Sequence, residues 1–131
     1  MILVGMPQVE RTFRAHGLVH IEYGFLCSLE HGPKRLSDLA ATSNVSISRL
    51  SHRISKLAER GYVRVRPDES DGRASVAELT GAGRTLIAEV APAHSKALRE
   101  ILFDHLSPAQ TTALAEALQK VGTKLGACLE P

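Results

Sequence analysis

The chain has 131 residues, with three Phe, two Tyr and no Trp, and 16 Lys/Arg against 14 Asp/Glu. That length suits one domain with a core of Leu, Ile, Val and Ala, and no apolar run approaches the ~18 residues of a membrane-spanning helix. The charge is unevenly spread: residues 34–73 hold nine Lys/Arg and five Asp/Glu, a local +4, while the rest hold seven and nine, a local −2. Positive charge gathered in one segment is the footprint expected for phosphate binding.

The opening Met1-Ile2-Leu3-Val4-Gly5-Met6 is too short for a signal-peptide core and has no basic leader, so a cytoplasmic protein is expected. Val9 and Phe13 then lie at helical spacing, in a segment that Pro7 interrupts and that breaks near Gly17. A second helix is expected from about His20 to Glu30, with Ile21, Phe25, Leu26 and Leu29 inward; His31-Gly32-Pro33 stops it. Lys34-Arg35-Leu36 suits a short strand, and Ser37 is a candidate cap for a helix over Asp38 to Thr42.

Ser43-Asn44-Val45 is a turn. Ser46 then caps a helix ending near Arg60, with Ile47, Leu50, Ile54 and Leu57 as one buried stripe. Ser48, Arg49, Ser51, His52, Arg53 and Lys56 fall mainly on the other faces. Gly61 ends this helix, and Tyr62-Val63-Arg64-Val65-Arg66 alternates like a strand, with the valines on one face and the arginines on the other. Ala74 to Leu79 supplies the partner strand across a charged tip, Pro67-Asp68-Glu69-Ser70-Asp71-Gly72-Arg73.

A basic helix followed by a basic hairpin is what a winged helix-turn-helix requires, one element for a DNA groove and another for the flanking backbone. The expected class is therefore α+β, mostly α. Ser46, Ser48, Arg49, His52 and Arg53 are the groove-facing candidates, because arginine can donate two hydrogen bonds to guanine and serine approaches bases or phosphates closely. Lys56 and Arg60 lie further along, toward phosphate or solvent. Arg64 and Arg66 are candidate phosphate contacts, with a solvated strand face as the alternative.

Thr80 is a candidate cap for a helix to about Phe103, disturbed near Pro92. Ser107-Pro108-Ala109-Gln110 combines a cap, a proline at the first helical position and a capping-box glutamine. The last helix sets Leu114, Leu118, Val121, Leu125 and Cys128/Leu129 at alternating spacings of four and three, a heptad-like seam that can pack within its own subunit but that a partner helix in a homodimer explains better. Two-fold symmetry then predicts a pseudo-palindromic double-stranded DNA site.

Neither Cys27 nor Cys128 belongs to a disulfide or metal pattern, and none of the six histidines pairs with another His or Cys in a ligand motif. No metal or cofactor is expected. No Gly-rich phosphate loop, nucleophile elbow or metalloprotease signature points to an enzyme. A winged helix serving only as a protein-interaction adaptor is the alternative, and it would not need the concentrated basic segment.

Several features together resemble the MarR family of bacterial transcription regulators. They are Leu39-Ala40, the run Ser46-Ile47-Ser48-Arg49-Leu50-Ser51, the run Leu57-Ala58-Glu59-Arg60-Gly61-Tyr62-Val63, and Asp71-Gly72-Arg73 followed by Leu79-Thr80 and Gly83. The likeness runs from about Gly17 to Leu125. Arg14-Ala15-His16-Gly17-Leu18, Glu22-Tyr23 and Ala91-Pro92-Ala93-His94 resemble an actinobacterial branch.

The resemblance implies one MarR-like domain over 1–131, with about 20–80 as the winged helix and about 1–19 and 81–131 as dimerisation helices in a triangular homodimer. It implies a repressor whose recognition helix enters the major groove. Arg73 would reach the minor groove from the wing, with Asp71 holding the loop or orienting Arg73. It further implies a small aromatic or amphipathic effector, for which His16, His20, Tyr23 and Phe25 are the candidate lining, with a core or interface role for them as the alternative. Only about sixteen residues precede Gly17, fewer than the family's first helix usually has. Either the N-terminal share of the dimer is reduced or the start is truncated. The family's peroxide sensors carry a cysteine in the first helix, and here none precedes Cys27.

Overall fold

Two turns with left-handed backbone set the chain's path. Gly17 (φ 67°) follows the first helix and Gly61 (φ 81°) follows the fourth, at conformations where a side chain would clash with the backbone. The computed structural model describes the backbone of residues 2–129 and the side chains of residues 7–124. The helices are α1 (Ile2–Arg14), α2 (His20–Leu29), α3 (Leu36–Thr42), α4 (Ile47–Glu59), α5 (Gly81–Ile101) and α6 (Pro108–Leu129). The strands are β1 (Lys34–Arg35), β2 (Val63–Pro67) and β3 (Ser75–Leu79). The opening six residues, which bear on the leader, and the side chains of Leu125, Cys128 and Leu129 in the seam lie outside the described side chains.

The strands form one antiparallel sheet in the order β1-β3-β2, with β2 and β3 paired from Val63↔Leu79 to Pro67↔Ser75. β1 joins the other edge of β3 through Lys34↔Ala77 and Arg35↔Val76. Helices α3 and α4 followed by the β2–β3 hairpin make this a winged helix-turn-helix, as the basic helix and hairpin predicted.

The chain divides into two compact units, residues 1–94 and 95–131, with α5 contributing to both. The core of the first unit gathers Phe13, Leu18, Phe25, Leu26, Leu29, Leu39, Leu50, Ile54, Leu57 and Val90, all essentially inaccessible. In the second unit the expected capping box is formed: Ser107 N–H donates to Gln110 Oε1 (2.9 Å) and Gln110 N–H to Ser107 Oγ (3.2 Å). Of the seam, Leu118 and Val121 are more than half exposed.

Four local expectations are corrected. The helix α1 continues through Pro7, since a proline removes a single rung while its neighbours keep theirs. The helix α3 begins at Leu36 with Arg35 as its N-cap, so Ser37 sits in the first turn rather than capping it. Ile47 and Val65 are exposed although their stripes point inward; Ile47 is the first residue of α4, where the core has not yet begun, while Val65 lies mid-strand with its side chain uncovered.

Candidate nucleic-acid interface

Ser46 fixes the start of α4: its Oγ accepts the Arg49 N–H at 3.3 Å and lies 3.3 Å from Ser48 Oγ. Leu50, Ile54 and Leu57 hold one side of the helix in the core. Ser48, Arg49, His52 and Lys56 are exposed together on the opposite side. Ser55 is exposed on the same side, three residues after His52. It was missed because its small polar side chain carries no signal beyond spacing.

Arg53 is less free than its position suggests. Its Nη1 donates to Glu22 Oε1 at 3.1 Å, and the Glu22 side chain is only 8% exposed against 40% for Arg53. Glu22 Oε2 also accepts the Val19 N–H (3.1 Å), so one buried carboxylate closes the start of α2 and ties α2 to α4. Arg60 is exposed, as expected, but it is not free. Its Nη1 donates to the Gly17 carbonyl (2.7 Å), its Nη2 to the His16 carbonyl (3.0 Å), and its guanidinium sits 5.0 Å from the Tyr62 ring centre. It staples the end of α4 to the turn after α1.

The hairpin tip is built by local hydrogen bonds. Asp71 Oδ1 accepts the Arg73 N–H (3.1 Å) and so braces the loop through the backbone, while the Arg73 side chain is exposed. Asp68 Oδ1 accepts the backbone N–H and the hydroxyl of Ser70, both at 2.8 Å, while Asp68 Oδ2 accepts from Arg35 Nε. These hydrogen bonds, first those from Ser70 and then that from Arg35, hold the Asp68 carboxyl down at about 2. The wing is thereby tied to β1.

On the outer face Arg64 donates to Glu78 (2.9 Å), and Arg66 lies 3.7 Å from Glu78 and 3.8 Å from Glu69. Arg64 and Arg66 thus share carboxylates across the strands, which lowers the net charge they offer a phosphate. Arg49 and Arg73 carry no such partner among the described residues.

The proposed effector residues do not all meet. Phe13 stacks obliquely with His20 (5.5 Å between centres), Tyr23 (4.9 Å) and His94 (5.0 Å), and Tyr23 meets His94 edge-on at 5.3 Å. His94 Nδ1 is buried with no hydrogen-bond partner among the described residues. Burial, with a smaller contribution from His20, makes His94 harder to protonate than an ordinary histidine. Tyr23 is pushed up to about 12, chiefly by burial and then by its hydrogen bond with Cys27. Phe25 instead belongs to the core and lines a cleft of about 100 Å³ with Ile21, Val45, Arg49, Leu50 and Arg53. His16 uses its Nδ1–H on the Thr12 carbonyl (3.1 Å). The sequence signal for His94 was weak because it lies 71 positions or more from the other rings of the group, beyond the reach of any periodicity.

With this geometry the chain superposes on AbsC, a MarR family transcriptional regulator from Streptomyces coelicolor. The TM-score is 0.82 and the identity 33%, over 95% of this chain and 86% of that one. The chain belongs to the MarR family. A model of the MarR family also matches residues 26–75, from the middle of α2 to the start of β3. A second MarR family regulator, Sco3205 from Streptomyces coelicolor, was solved in complex with DNA. It gives a TM-score of 0.83 and 32% identity over 95% of this chain and 80% of that one. The HTH-type transcriptional repressor NicR from Pseudomonas putida is 27% identical over 105 residues, which are 79% of this chain and 66% of NicR. The aligned part of this MarR family chain thus spans just under two thirds of that relative's length. Among the described residues no helix is long and apolar enough to cross a membrane.

Proposed function

We propose that this protein is a sequence-specific double-stranded DNA-binding transcription regulator, acting in the cytoplasm as a homodimeric repressor. The observation that carries this reading is the joint exposure of Ser48, Arg49, His52 and Lys56 on one face of α4, beside a wing whose tip presents Arg73. A helix of that width fits a major groove, and its arginine side chain can donate to guanine O6 and N7. Arg73 enters the adjacent minor groove, and Asp71 sets the backbone that aims it. Ser46 acts through the cap, Arg53 reaches phosphate while anchored on Glu22, and Arg64 and Arg66 add a screened contribution. DNA in the Sco3205 complex and the repressor name of NicR support the reading.

Exposed Leu118 and Val121 on α6 are the dimer contacts, and the half-sites lie roughly 34–36 Å apart, one helical turn. Effector control acts at the group of Phe13, His20, Tyr23 and His94, where an unpaired ring nitrogen awaits a polar ligand atom. A small aromatic acid would stack there and shift the protein only in proportion to its preference for one conformation.

The test is selection of duplexes from a random library, followed by salt titration of the enriched site. A palindromic site with a steep fall of affinity with salt is expected. In Arg73→Ala the affinity should fall by about 1–3 kcal/mol, the scale of a base-edge contact. A folded protein that enriches no duplex at low salt would instead favour the adaptor reading.

A further inference from the structure

We propose that Ile47 reads the 5-methyl group of a pyrimidine, so that each half-site carries a thymine, or a 5-methylcytosine, opposite the first turn of α4. This rests on the DNA-reading function above and names one of the features read.

Ile47 is the first residue of α4 and is 57% exposed. The other exposed residues of that helix, Ser48, Arg49, His52, Ser55, Lys56 and Glu59, are all polar or charged. A β-branched side chain gains nothing for the helix at an exposed position, since its branched carbon is restricted against the turn. Exposure of its apolar surface to water is also unfavourable. Both costs are recovered if the side chain meets an apolar partner.

The surroundings make that partner specific. The Ser46 cap and the Ser46–Ser48 hydroxyl contact fix the first turn, so Ile47 is presented from rigid backbone rather than from a loop. In helix-turn-helix proteins the first residues of the recognition helix are the ones that contact base edges. The edges displayed in the major groove are donors and acceptors, with one apolar group among them, the C5-methyl of thymine. Ile47 shares the helix face of Ile54, but as the first residue of α4 its side chain tilts back toward the N-terminal end of the helix, so a methyl contact would sit at the tip of the helix, ahead of the hydrogen-bonding contacts of Ser48 and Arg49, and fix their register.

The experiment uses the duplex enriched by the wild-type protein. Each thymine is replaced in turn by deoxyuridine, which keeps its pairing and removes only the methyl group. One thymine in each half-site should lose about three- to fivefold in affinity on this change, the worth of one buried methyl group. The loss should vanish in Ile47→Ala and persist in Ile47→Val. Replacing the same thymine–adenine pair by 5-methylcytosine–guanine should be tolerated better than replacement by cytosine–guanine. Because Ile47 is exposed, both variants should melt with the wild type, which a thermal scan checks.

An enriched duplex with no deoxyuridine-sensitive position overturns the assignment while leaving the DNA-reading function intact. Equal sensitivity in wild type and Ile47→Ala does the same, since the methyl group is then read by another residue. Failure to enrich any duplex overturns both.

Discussion

Arg53 and Arg60 show how a side chain's chemistry can be legible while its partner is not. Both belong to a basic helix, and helical spacing puts both away from the core. Each nevertheless reaches a group far away in the chain: Arg53 a carboxylate 31 residues earlier, Arg60 two carbonyls 43 and 44 residues earlier. Periodicity reports which face a residue occupies, and says nothing of what the fold later brings opposite that face. For Arg53 the consequence is asymmetric. In Arg53→Ala the Glu22 carboxylate stays buried with only the Val19 N–H for company, whereas in Glu22→Ala the half-exposed guanidinium returns to water. Loss of one partner of a buried pair is costly because it strands the other charge. Arg53→Ala should therefore lower unfolding stability by about 1–3 kcal/mol, discounted from the full buried-pair cost because Arg53 is partly solvated. Urea unfolding of the free protein measures it. An unchanged midpoint would leave Arg53 to DNA alone.

At the scale of elements, the corner between β3 and α5 gives Leu79, Thr80 and Gly83, three residues of the resemblance, one structural role. Thr80 Oγ1 donates to the Gly61 carbonyl (2.6 Å), its backbone N–H to the Tyr62 carbonyl (3.1 Å), and Gly83 N–H donates back to Thr80 Oγ1 (3.1 Å). A Cβ on Gly83 would lie 2.3 Å from the Tyr62 carbonyl oxygen and 2.6 Å from Leu79 Cδ1. Backbone cannot give way as a side-chain tip can, so Gly83→Ala should destabilise by about 1–3 kcal/mol, as overpacking does. Thermal unfolding checks this, and a variant as stable as the wild type would show that the corner relaxes freely.

The wing has its own signature. Asp68, held by Ser70 and Arg35, should titrate near 2 when its carboxyl carbon is followed by NMR, against ~3.9 for a free aspartate. A depressed folded value means that the wing's contribution is complete above about pH 4 and is lost as pH falls through about 2. In Arg35→Ala the midpoint should rise but stay below the free value, because the two Ser70 hydrogen bonds remain. A midpoint that did not move would remove Arg35 from the anchor.

For the whole molecule, the winged helix was legible because its signals are local: a serine cap before a stripe, a glycine after it, and two alternating runs across a turn. The Ser107–Gln110 box was legible for the same reason. The limits of the core were not, and Ile47 and Val65 lie beyond them. The aromatic group around His94 required three elements to meet. The proposed dimer stands between these cases, since the α6 seam is visible as spacing and the exposure of Leu118 and Val121 is visible in the fold. Leu118 and Val121 are 61% and 54% exposed, so aspartate at either should leave the folded chain intact. Burial of such a side chain is worth about 1.5–3 kcal/mol, so each of Leu118→Asp and Val121→Asp should weaken the dimer by tenfold or more in sedimentation equilibrium. The same variants report on DNA. The slope of log affinity against log salt scales with the phosphates neutralised, so a protein bound as a monomer makes one set of contacts and its slope should fall to about half. A variant that sediments as a monomer yet keeps the full slope would place the dimer contacts elsewhere, with the two readers brought together by the operator itself.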